Sequence, residues 1–151
     1  DAVNSLLIEC LKAKAMGSAL LTIFYKFCTL SSDPEISAIL NFLALKAFTP
    51  FVEFLAKWIY KGVIEDVYEE FFVQKTFNNS NLHEAKSWER LFVLRRSMIP
   101  CFFDEIAHVT LSTGKFLNVI RECGISMNCP YSEELAKQFH VLVSNLFSFS
   151  L

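Results

Sequence analysis

The stretch KWIYKGVIEDVYEEFF, Lys57 to Phe72, decides how the rest of the chain is read. Trp58, Ile59 and Tyr60 close an apolar helix, and Gly62 stands where a helix takes its left-handed C-terminal glycine. The segment from Val63 to Val73 then sets Val, Tyr and Phe around a short acidic run, Glu65, Asp66, Glu69 and Glu70. Large aromatic side chains are usually buried, so the residues predict a helix, a tight exit, and an aromatic segment returned to a core. Trp58, Tyr68, Phe71 and Phe72 are expected inside.

Working outward, helix-period patterning dominates and Gly and Pro number only four each, which predicts an all-α protein. A first helix is expected from Asn4 to about Thr29, with Gly17 and Ser18 in its middle where a neighbouring helix comes close. Asp33-Pro34 marks a helix start with proline at the first helical position. The helix from Pro34 to about Phe48 is expected to kink or restart at Thr49-Pro50, because proline lacks the N–H and crowds the preceding turn. Pro50 to Tyr60 continues it as the central helix, its polar residues Glu53, Lys57 and Lys61 on one line. Lys75 to His83 reads as a polar loop. The next helix is expected from Leu82 or Glu84 to about Met98, with Trp88, Leu91, Phe92 and Val93 inward. Pro100 opens another that Gly124 ends, with Leu117 inward, and Ser132 caps a last one bearing Leu135, Phe139, Leu142, Val143 and Leu146. No repeat recurs at the periods of solenoid families.

A chain of 151 residues at 53% hydrophobic and 20% charged has material for one domain core, or for part of a larger protein. Sixteen phenylalanines exceed what one small core takes up, so some are expected to face partners or other parts of a parent chain. A formal charge of −2 opposes a nucleic-acid footprint; Lys86, Arg90, Arg95 and Arg96 read as a solvated face. No uninterrupted apolar run reaches a membrane span, so a soluble cytosolic chain is expected. Cys10, Cys28, Cys101, Cys123 and Cys129 show neither CxxC nor ligand spacing, so they read as reduced thiols. The sequon Asn78-Asn79-Ser80 follows no secretory signal and carries no weight.

No constellation for chemistry emerges. Ser112-Thr113-Gly114-Lys115 lacks the GxxxxGK[ST] frame of a phosphate loop. Glu105 and His108 form a single ExxH pair where a di-iron bundle needs two, and His83-Glu84 has no second histidine at Ser87. Cys101 and His108 lie two turns apart, roughly 10 Å, beyond nucleophile–base reach. The acidic run lacks EF-hand spacing. Catalytic, metal and cofactor sites are therefore all expected to be absent, and the chain is not expected to be an enzyme.

The opening stretch resembles a signature of the γ-tubulin complex proteins, WIYxGxxxDxYxEFF, and LSTGKFLNVIRECG from Leu111 to Gly124 resembles their second N-terminal signature. Trp58, Tyr60, Gly62, Asp66, Tyr68, Glu70, Phe71 and Phe72 match the first. Thr113, Gly114, Lys115, Leu117, Asn118, Arg121, Glu122, Cys123 and Gly124 match the second. Trp88 and Arg95 match a W…R spacing and Pro100 a proline before the next helix, while Val67 stands where relatives usually carry proline. The resemblance runs roughly from Phe42 to Cys129. It implies an elongated helical bundle of about five to seven helices, spanning 1–151 as a fragment of the N-terminal conserved region. That region makes lateral contacts with homologous components, so that the parent complex templates microtubule nucleation. γ-Tubulin would be bound by a C-terminal region that this chain lacks. The implied location is the cytoplasm and cytoskeleton, at the centrosome or spindle pole, without nucleic-acid or membrane partners. Most signature residues are of fold-holding types; Lys115, Asn118 and Arg121 are the polar candidates for an interface or a network. A helical adaptor that docks a regulatory or targeting peptide in an apolar groove is the alternative.

Overall fold

The computed structural model of the chain describes residues 2–76, 87–125 and Val141. Five α-helices dominate the described residues: α1 (Ala2–Ala13), α2 (Ser18–Leu30), α3 (Pro34–Lys61), the short α4 (Ser87–Arg90) and α5 (Asp104–Glu122). The expected all-α character holds, with one small addition. Strands β1 (Val73–Lys75) and β2 (Phe92–Leu94) pair antiparallel, Val73 opposite Leu94 and Lys75 opposite Phe92.

Helix α3 is the axis. Asp33 caps it by accepting from the Glu35 N–H at 3.0 Å, with Pro34 in the first turn. Leu40, Ala44, Phe48, Phe51, Val52, Leu55 and Trp58 fall at helical spacing and are buried. Helices α1, α2 and α5 pack on them. Gly62 ends the helix in the left-handed conformation (φ +61°), its N–H reaching back to the carbonyls of Lys57 and Trp58. The helix is 28 residues long with a window of mean hydropathy 1.5, which satisfies the length and composition of a membrane span. Here the same apolar surface meets other helices of the chain.

Pro50 neither stops nor restarts α3, contrary to expectation. Proline deprives the Lys46 carbonyl of its usual donor, but Lys46 and Pro50 both face outward where water reaches. Phe48, Phe51 and Val52 on either side meanwhile enter one core.

The expected single helix from Asn4 to Thr29 is two helices. Lys14 (φ +47°) and Gly17 (φ +53°) break it, and the cause lies far away in sequence. A Cβ on Gly17 would collide with the backbone of Glu70. The Ser18 N–H and hydroxyl both donate to the Glu70 carbonyl, each at 2.8 Å. Gly17 thus admits the loop after α3 rather than another helix.

The helix expected up to Met98 is also corrected. Among the described residues of that stretch only Ser87–Arg90 is α-helical, followed by β2 and a 3₁₀ turn at Arg96–Met98. Pairing with β1 claims Phe92 to Leu94, extended at each end by Thr76 N–H to the Leu91 carbonyl and Arg95 N–H to the Phe72 carbonyl, both 2.8 Å. Phe92 is buried, but Val93 points outward as strand alternation requires. Pro100 lies in a turn, not at a helix start; α5 begins at Asp104 after the Phe103 N–H closes on the Pro100 carbonyl. Gly124 (φ +75°) does end α5. Lys75 belongs to β1 rather than to a loop, and Thr76 follows it bonded to Leu91, while the rest of the loop to His83, its sequon and, apart from the helical Val141, the helix expected after Ser132 lie outside the described residues.

Candidate functional site

The two signature stretches, about 50 residues apart in sequence, meet where α3 and its exit loop cross α5. On one side stand Trp58 and Gly62, four residues apart; on the other stand Thr110, Gly114 and Asn118, each one turn from the next. The Trp58 ring is fully buried, and its Nε1–H donates to the Thr110 carbonyl at 3.0 Å. A Cβ on Gly114 would overlap ring atoms Cε2, Cδ2 and Nε1 of Trp58, so only glycine lets the helices approach this closely. Phe92 also packs on the indole, the two rings tilted by 57° with centroids 4.7 Å apart. One turn further on, Gly62 lies against the α5 backbone at Leu117 and Asn118. The Asn118 Nδ2 donates to the Gly62 carbonyl at 2.9 Å, supplying a donor to a carbonyl at the end of α3.

The exit loop is pinned by polar groups. The Asp66 carboxylate accepts from the N–H of Glu70 at 2.9 Å and of Phe71 at 2.7 Å. Arg95 donates to the Phe71 carbonyl at 2.7 Å and to the Glu69 carbonyl, and pairs with the Glu69 carboxylate at 3.2 Å. Its planar fork suits such convergent acceptors. Glu69 is held at φ +55°, a backbone region seldom used by residues other than glycine. With Ser18 on the Glu70 carbonyl, three successive carbonyls are satisfied, and Phe71 and Phe72 enter the core fully buried.

The remaining signature residues divide. Tyr60 and Leu117 are half-buried, and Trp88 is half-buried beside Phe116, with centroids 6.0 Å apart. Tyr68 corrects the expectation of burial by residue type: it sits at the tip of the pinned turn, 80% exposed, beside Val67 at 86%. Asn118 is corrected as an interface candidate, because it is buried and its amide is used inside the chain. Lys115 donates to the Glu89 carbonyl, and burial pulls its ammonium below the usual lysine range, with Glu89 partly opposing. Arg121 stays exposed and pairs with its neighbour Glu122 at 2.9 Å. Cys123 is exposed at the end of α5.

Glu105 and His108 are both exposed on α5, and Cys101 is exposed in the turn before it. Among the described residues no three His, Cys, Asp or Glu side chains gather to hold a metal ion.

Two surface features escaped the sequence reading. Helix α5 carries a second apolar row, Ile106, Val109 and Phe116, each more than half exposed; the 3- and 7-residue spacing was its signal. The other is a cleft of about 190 Å³ between α2 and α3, walled by Leu20, Leu21, Ala47, Phe51 and Phe54 with Glu70 at one side.

A family model described as "Gamma tubulin complex component N-terminal" matches residues 1–149, well beyond the stretch carrying the two signatures. Mouse γ-tubulin complex component 2 is 32% identical over 140 residues, covering 89% of this chain and 16% of the mouse protein. The Arabidopsis component 2 is 34% identical over 109 residues, 69% of this chain and 16% of that protein. The spindle pole body component alp4 of Schizosaccharomyces pombe is 31% identical over 103 residues, 65% of this chain and 13% of that protein. The chain therefore spans about a sixth or less of these relatives' length. With a match across nearly all of its residues, the chain belongs to the γ-tubulin complex component family and corresponds to that family's N-terminal region.

Proposed function

We propose that this chain is a structural scaffold module of a γ-tubulin complex, packing laterally on homologous components so that the assembled complex templates microtubule nucleation. The observation that carries the reading is the division of labour on α5. Its inner face is committed to Trp58 and Gly62, while Ile106, Val109 and Phe116 form a separate apolar row open to a partner. Exposed apolar side chains aligned on a rigid helix suit a broad, shape-matched contact. Lys115 and Arg121 lie on the same helix and are proposed at the margin of that contact. On this reading the chain performs no catalysis and engages neither nucleic acid nor membrane. γ-Tubulin is held by the C-terminal region of the parent protein, and the complex acts in the cytoplasm at the centrosome or spindle pole.

The cleft beside Phe51 and Phe54 favours a second reading, an adaptor that seats a peptide. Its volume fits one or two side chains, less than the roughly 300 Å³ from which ligand pockets usually start, so the scaffold reading is preferred. Sedimentation velocity separates them. The chain is mixed with the N-terminal region of a sister component and, separately, with γ-tubulin. Association with the sister region alone supports the scaffold. Association with γ-tubulin alone, or with neither, overturns it.

A further inference from the structure

Beyond the scaffold role, and independently of it, we infer that Tyr68 is a phosphorylation site for a tyrosine kinase that prefers acidic substrates. A kinase needs a phenol it can reach, a backbone it can draw into its groove, and flanking charges opposite to its own. Tyr68 is 80% exposed, and its hydroxyl makes no hydrogen bond to a described residue. The other described tyrosines are half-buried: Tyr25 packs on Phe102 with centroids 5.5 Å apart, and Tyr60 lies within α3.

The two sides of Tyr68 differ. After it, Glu70 and Phe71 are tied by Asp66, and Phe71 is fully buried. Before it, residues 62–66 belong to neither helix nor strand, and 67–68 form a turn. The backbone bonds closing this side are long, Val63 N–H to the Lys57 carbonyl and Glu69 N–H to the Asp66 carbonyl, both 3.4 Å. Recognition therefore falls on Glu65 and Val67, an exposed carboxylate three residues before the tyrosine and an aliphatic side chain 86% exposed immediately before it, while the Asp66 carboxylate stays on the Glu70 and Phe71 N–H groups. A groove with basic side chains and a small apolar pocket complements that order. The Glu65–Lys57 pair is exposed on both sides and weakly held, so Glu65 is free to change partner.

In the reaction ATP supplies the γ-phosphoryl group. The Tyr68 Oη–P bond forms as the bond to ADP breaks, and the phenolic proton passes to the kinase's catalytic base. The product carries about −1.5 to −2 charge among Glu65, Asp66, Glu69 and Glu70. Repulsion there loosens the turn and turns an apolar tip into an anionic one, a form of control located outside the helical core.

The test uses this chain, Mg·ATP and a purified tyrosine-kinase catalytic domain calibrated on a poly(Glu,Tyr) copolymer, read by intact mass and fragmentation. One phosphoryl group per chain is expected, located on Tyr68 and lost in Tyr68→Phe. Glu65→Lys is expected to slow modification by about tenfold without moving the melting temperature. Failure of the folded chain to be modified while the copolymer is modified overturns the inference. So does labelling of Tyr25, Tyr60 or Tyr131 at the same rate, or a Tyr68→Phe chain that is still modified as fast.

Discussion

Replacing Gly114 by alanine tests the crossing of α3 and α5 at its tightest point. On an isolated helix the change is favourable by about 1 kcal/mol. Here the new methyl falls on three atoms of the Trp58 ring, well inside ordinary van der Waals contact, and the ring must retreat by roughly 1–1.6 Å. The indole is fully buried, with Phe92 packed on it at a centroid distance of 4.7 Å, so there is little room to move. Moving the indole also breaks its hydrogen bond to the Thr110 carbonyl, leaving a buried donor unsatisfied. Overpacking of this kind costs about 1–3 kcal/mol, and the orphaned group about 1–3 more. Net of the helix gain, Gly114→Ala should destabilise the chain by about 1–5 kcal/mol. For a chain of this size that lowers the melting temperature by about 2–20 °C. Urea and thermal unfolding followed by far-ultraviolet circular dichroism measure it. A companion Trp58→Leu variant makes room, so Gly114→Ala in that background should cost little or nothing, which a double-mutant cycle reports as coupling. A Gly114→Ala chain as stable as its parent, or more stable, would refute the proposed packing at this crossing.

Asn118→Ala removes the donor to the Gly62 carbonyl and should cost about 1–3 kcal/mol; an unchanged urea midpoint would mean that water or another group satisfies that carbonyl. The thiols should separate by burial. Cys101 and Cys123 are exposed and should react at once with a thiol reagent, Cys10 more slowly, and Cys28 only as the chain unfolds. Burial pushes the Cys28 thiol up to about 11 from an ordinary value of 9.0. A folded pKa raised in this way contributes stability that is present below pH 9 and lost as pH climbs through 11. Cys28→Ala should therefore flatten that alkaline decline, and an identical decline in the variant would assign it to other groups.

What the sequence made legible were features whose causes are local. Asp33-Pro34 starts α3 and Gly62 ends it because capping chemistry is written in adjacent residues. The aromatic pair Phe71-Phe72 enters the core as residue type implies. The misreadings share a non-local cause. The break before Ser18 is imposed by a carbonyl 52 residues away. Phe92 to Leu94 leave helical geometry for a partner strand that no local propensity announces. Tyr68 is aromatic and exposed because a carboxylate and a guanidinium fix the turn beneath it, leaving its tip nowhere to bury. Asn118 has the polarity of a surface residue, yet the end of a neighbouring helix supplies the acceptor that makes its burial tolerable. The two glycines that matter most at the crossing carried the signatures, but their purpose shows only when the helices are placed together.

The composition of α3 has a consequence for how the chain is made. During synthesis this 28-residue apolar helix is complete while α5, which covers Trp58, is still about 40 residues from emerging. At about 5–20 residues per second, one flank of α3 waits for several seconds with its tryptophan uncovered. Helices α1 and α2, already outside the ribosome, are available to shield the other flank. The nascent chain is thus a natural client for a co-translational chaperone in that interval, and for membrane-insertion machinery as a competitor for the same helix.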